Sequence, residues 1–108
     1  MPDKNDVVII ELDRPRELRF GHKALKKLSA LTGKSLEEFE MDGNNLEELE
    51  KVMYCALMFD AKENNETLKL EEMEDLLDYS RSFKYTMEKL QEALESAFGS
   101  IPEDVEKN

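Results

Sequence analysis

Between Asp60 and Glu71 the chain has the outline of a calcium loop, with Asp60 at its first position, Glu71 at its twelfth and helical patterns on both sides. Such a loop holds its ion with oxygens from alternate positions and a bidentate glutamate, and it needs glycine at the sixth position for a sharp turn. This stretch puts the cation Lys62 at the third position and Asn65 at the sixth, and its inward hydrophobe Leu68 falls one place late. There is no second loop to pair with it, so a polar interhelical loop is expected. Other carboxylates are plentiful: Glu71, Glu72, Glu74, Asp75 and Asp78 in one segment, Glu47, Glu48 and Glu50 in another. Acid–base chemistry requires carboxyls whose pKa values are driven apart in a shielded cleft, and these fall mainly between apolar positions, on the solvated side. A helical di-metal site requires Glu-x-x-His pairs. The single histidine, His22, stands beside Gly21 in a basic block and reads as a helix-start surface residue. Cys55 lies inside an apolar run with nothing near in sequence to activate it, and reads as a buried thiol that fills space. No catalytic residue, metal site or cofactor is expected, and binding is favoured over catalysis.

Length and charge point the same way. A chain of 108 residues allows one domain with a modest core. A net charge of −11 opposes binding to duplex nucleic acid or to an anionic membrane surface. A single cysteine fits a reducing compartment. No apolar run is long enough to span a membrane, and the first residues lack a signal-peptide core. The charge is also uneven. Residues 13–34 carry seven basic against two acidic side chains, a net +5, whereas residues 35–108 carry a net −14. The basic block can close on the acidic body of its own molecule or meet that of a neighbouring copy, head to tail.

The elements that must position these charges read as mainly α: a small helical bundle of about five helices behind an N-terminal β-hairpin. Val7-Val8-Ile9-Ile10-Glu11-Leu12 is β-branched and too short for a helix. Asp13-Arg14-Pro15-Arg16 then turns the chain, and Glu17-Leu18-Arg19-Phe20 alternates as a second strand. So small a hairpin must lie on helices or pair with another chain through an open edge. Ala24, Leu25, Leu28 and Leu31 share a helix face that ends at Gly33, suited to a left-handed C-cap. Ser35-Leu36-Glu37-Glu38 reads as a capping box opening a short helix, Asp42-Gly43-Asn44 as a turn, and Asn45 with Glu48 as a second cap-like pair.

The helix that follows, from about Leu46 to Lys62, is apolar or amphipathic all round from Val52 to Phe59. It must be the central helix or present one flank to a partner. Helix resumes at Leu70, breaks near Tyr79-Ser80 and runs again from about Ser82 to Phe98. Met73, Leu76, Ser80, Phe83, Met87, Leu90, Leu94 and Ala97 form a heptad-like seam, for an internal hairpin or for a second helical chain. Residues 1–6 are expected as a flexible N-terminus, 7–99 as one domain and 100–108 as a flexible tail.

The order Ile10-Glu11-Leu12-Asp13-Arg14-Pro15-Arg16-Glu17-Leu18-Arg19-Phe20-Gly21, then Ala24-Leu25-Lys26-Lys27-Leu28, then Thr32-Gly33-Lys34-Ser35-Leu36, resembles the opening of tail assembly chaperones from long-tailed bacteriophages and prophages of Gram-positive bacteria. Tyr54-Cys55-Ala56-Leu57, the acidic Leu70–Asp78 and the ending Glu92-Ala93-Leu94-Glu95-Ser96-Ala97-Phe98-Gly99 extend the likeness over about residues 7–99. The resemblance implies a protein of the host bacterial cytoplasm, absent from the mature virion. It would bind the tape measure protein, a long and largely helical chain, and also the tail tube protein, keeping apolar surface from aggregating during assembly.

On the residues themselves, a homo-oligomer is expected through Val7, Ile9, Arg14, Arg16, Arg19 and Phe20. Client binding is expected around Met58, Phe59, Phe83 and Phe98. The rival readings are a calcium-responsive module and a purely structural oligomeric adaptor.

Overall fold

In a computed structural model, residues 7–41 and 44–98 are described. The expected flexible ends, the Asp42-Gly43 part of the turn, the Gly99 stop and the Glu38 side chain of the capping box lie outside the described residues. Two short strands, β1 (Val8–Glu11) and β2 (Pro15–Leu18), form an antiparallel hairpin. Four α-helices follow: α1 (His22–Thr32), α2 (Leu46–Glu63), α3 (Met73–Leu77) and α4 (Phe83–Phe98). The chain is mainly α, but with four helices among the described residues instead of about five. The difference is at Leu36–Glu38, where Ser35 does cap, its Oγ accepting from the Glu37 amide at 3.3 Å, yet only a single 3-10 turn forms. Phe39 leaves it in an extended conformation, which ends the helix before a second turn can start.

Helix α2 is the centre. It packs on α1, β2, α3 and α4, and its Val52, Met53, Cys55, Ala56 and Leu57 are fully buried. That accounts for most of the apolar run, because cover on several sides is what an all-round apolar helix requires. Ile10, Leu18, Leu28, Met73 and Leu90 complete the core from the surrounding elements. Burial pushes the Cys55 thiol up to about 11, away from the thiolate form that nucleophiles need.

The caps behave locally. Asn45 Oδ1 accepts from the Glu48 amide at 3.0 Å and opens α2. Gly33 closes α1 at φ 72°, its amide donating to the Ser29 carbonyl at 2.8 Å. Ser82 Oγ accepts from the Tyr85 amide at 3.0 Å and opens α4. Among the described residues no helix is long and apolar enough to cross a membrane.

The hairpin register differs from the expected one. Val8 pairs with Leu18 and Ile10 with Arg16, so β2 begins at Pro15 and the turn contracts to residues 12–14. Strand alternation then turns Arg16 inward beside Leu18. The heptad-like seam is likewise interrupted. The break at residues 78–82 rotates α4 so that Thr86, Leu90, Ala93 and Leu94 face the core and Phe83 is left outside.

Candidate functional site

The sequence-expected self-association residues divide three ways. Arg14 and Arg16 are consumed within the molecule. Arg16 donates to both carboxylate oxygens of Asp13, at 2.8 and 2.9 Å, and to Glu66 at 2.9 Å. Arg14 donates to Asp60 at 2.6 Å, to Glu66 at 3.1 Å and to the Pro15 carbonyl at 2.8 Å. Two guanidiniums thus tie the hairpin to the C-terminal end of α2 and the loop after it.

The network holds the Asp13 carboxyl below its ordinary value, chiefly through the hydrogen bond from Arg16. Glu66 is lowered in the same way, first by Arg14. Instead of standing free as the sequence suggested, both forks are occupied within the molecule, and Arg16 is only 6% exposed. Phe20 is buried in the core and not on the surface. Val7 and Ile9 do remain exposed, at 51% and 41%. Arg19 is exposed and lies 4.2 Å over the Phe59 ring.

The edge of β2 is closed as well. The Arg19 amide donates to the Ala56 carbonyl of α2 at 2.9 Å, using that oxygen's second lone pair, and the Glu17 amide donates to Asp60 Oδ1 at 3.2 Å. On the β1 side the Glu11 amide donates to the Tyr85 hydroxyl at 2.9 Å.

Asp60, first residue of the calcium-like outline, is thereby occupied by Arg14 and a backbone amide. Asn65 makes the turn in the left-handed region at φ 56°. Among the described residues no three acidic, His or Cys side chains gather to hold a metal. Gly33-Lys34-Ser35 also spells the end of a phosphate-binding loop. However, buried Leu28 stands where the leading glycine belongs, Gly33 ends a helix instead of opening one, and Lys34 is paired with Glu48 at 2.8 Å.

Among the grooves of the described residues, two lie at opposite ends of α2 and hold apolar side chains of that helix and its surroundings. The first, about 480 Å³, lies between the start of α1 and the C-terminal half of α2. Tyr54, Met58 and Phe59 form its floor, and Arg19, His22, Lys23 and Lys62 surround them. The second, about 590 Å³, lies between the N-terminal half of α2, α3 and the start of α4. Leu46, Leu49, Leu77 and Phe83 supply its apolar part, and Glu50, Glu74, Asp75 and Asp78 its charge.

The residues expected at one client surface are thus separated. Met58 and Phe59 belong to the first groove and Phe83 to the second, while Phe98 is half-buried against the core at the end of α4. Leu46 is the residue that sequence reasoning missed. It shares a helix face with Leu49, but it stands in the first turn, beyond the cover of the neighbouring elements. Its 59% exposure, like the 52% of Phe83, leaves a large apolar side chain in water. Compared with known proteins, the chain matches no family model, no curated protein and no solved structure.

Proposed function

We propose that this chain is a tail assembly chaperone that binds the tape measure protein, and tail tube subunits with it, in the host cytoplasm and leaves before the virion is complete. The observation that carries this reading is the pair of open grooves with apolar side chains and charged rims on one central helix, joined to the order of the motifs over residues 7–99. A helix-binding protein needs apolar floors of adaptable side chains and a charged rim that keeps them soluble. Met58, Tyr54 and Phe59 are such a floor, and the net −11 is such a surface. Binding of this kind is passive. It gains about 25 cal/mol per Å² of apolar area before ordering costs, and many weak copies along one long client act through avidity.

The test is co-expression with the protein encoded immediately downstream, where the tape measure protein of such a system belongs. Raised solubility and co-purification of that long helical chain are expected. Unchanged insolubility without co-purification overturns the reading. A purely structural oligomeric adaptor is the second reading, favoured by the exposed Val7 and Ile9 on the outer side of β1. Mass spectrometry of finished particles separates the two, because a chaperone is absent from them.

A further inference from the structure

We infer that the groove bounded by Leu46, Glu50, Glu74, Asp78 and Phe83 is a docking site for a cationic amphipathic helix of another protein. Three features of the groove support this. It holds two of the large apolar side chains most exposed among the described residues, Leu46 and Phe83, one on each side. Its four carboxylates, Glu50, Glu74, Asp75 and Asp78, have no cation within 4 Å among the described residues. Arg14, Arg16 and Lys34 are paired elsewhere, and Arg81, beside the groove in sequence, lies 4.1 Å over the Tyr85 ring. Glu50 also feels the cost: desolvation first, then Glu74 and Glu47, raise its carboxyl above the ordinary value. The N-termini of α2 and α4 point partial positive charge toward this end, about half a unit each, which does not offset four full negative charges.

An occupant that fits carries apolar side chains at helical spacing to cover Leu46 and Phe83, flanked by Lys or Arg to meet the carboxylates. A second copy offers no such segment in α1. Lys23, Lys26 and Lys27 are exposed there, but the helix's apolar Ala24 and Leu28 are already buried in its own core. The inference rests on the chaperone reading only in taking the partner to be helical.

The test uses the full chain and a labelled synthetic helix of leucine and lysine, with leucines at i, i+3, i+4 and i+7, followed by fluorescence anisotropy. A counterpart with glutamate replacing lysine is the control. The cationic helix is expected to bind at least about tenfold more tightly than the acidic one, a modest electrostatic preference. Glu74→Gln/Asp75→Asn/Asp78→Asn weakens it by about fivefold or more, and Leu46→Ser/Phe83→Ser by about tenfold, since burying such side chains dominates docking. Glu11→Gln/Glu63→Gln/Glu95→Gln, the same charge change on exposed residues outside the groove, shifts binding by less than about twofold. Circular dichroism of each variant verifies that it is folded.

Equal weakening by the two triple variants, indifference to Leu46→Ser/Phe83→Ser, or self-association in sedimentation that Phe83→Ser abolishes while the peptide fails to bind, each overturns the assignment. If the peptide fails yet the downstream protein is still solubilised, the groove falls and the chaperone reading stands. The reverse pattern separates them the other way.

Discussion

The two ends of helix α2 treat charge in opposite ways. At the C-terminal end, Asp60 and Glu66 meet Arg14 and Arg16, both of whose guanidinium forks are filled, and the hairpin is locked onto the helix. At the N-terminal end Lys34 pairs with Glu48 alone, and on the groove side Glu50 stands near Glu74 and Glu47 with no cation within 4 Å among the described residues, beside two exposed apolar side chains. The same residue type, a carboxylate on a helix, is structural in one place and left over in the other. The difference is whether the chain delivers a cation to it. Closed charge clusters hold elements together, and uncompensated ones beside apolar surface are where a partner gains most.

The comparison breaks most sharply at Arg16. Arg16→Met removes the inward guanidinium and leaves Asp13, Glu66 and Asp60 facing one another around Arg14. Because the partners are about one-third exposed, the expected loss is about 2–3 kcal/mol, below that for a fully buried pair. Urea denaturation at neutral pH measures it, and a loss under about 0.5 kcal/mol would reduce the network to an ordinary surface ion pair.

A pH titration of stability sharpens the contrast. Asp13 and Glu66 have folded pKa values lowered from 3.8 and 4.5, so their contribution is complete above those values and is lost as pH falls through the depressed ones. Glu50 has the opposite sign. Its carboxyl is raised above 4.5, so ionisation destabilises the fold at neutral pH and the penalty disappears as pH falls below the ordinary value.

The smallest effect is therefore also the most diagnostic. Glu50→Gln is expected to stabilise by about 0.5 kcal/mol at pH 7, in line with relief of like-charge pairs, and by nothing near pH 3. Glu66→Gln destabilises at pH 7. Thermal melts of both variants at the two pH values check the crossing, and a Glu50→Gln variant less stable than the parent at pH 7 would remove the distinction between the ends.

Much of the fold is readable along the chain. The caps at Gly33 and Asn45, the break before Ser82 and the burial of Cys55 each depend on local chemistry: a left-handed φ, an amide in reach of a side-chain oxygen, an apolar run with no activating neighbour. Arg16 was not readable. Its type argues for the surface, and only the pairing of Val8 with Leu18 makes it point inward, toward Asp13 and the distant Glu66. The candidate site was half readable. Met58, Phe59 and Phe83 stand out by apolar character, but their separation into two grooves follows from packing that sets the start of α4 beside the N-terminal half of α2, far along that helix from Met58 and Phe59.

By itself, then, the sequence determined the mainly α class, the hairpin, the helix ends, the absence of an activated thiol and the excess of negative charge, because each is set by residues within a few positions of one another. Tertiary structure alone decided which charges cancel and which remain. Arg14 and Arg16 reach acids about fifty residues away, and the carboxylates of α2 and α3 converge only because both helices bury their apolar sides in one core. Coulombic energy depends on distance through space, and that distance is fixed by packing.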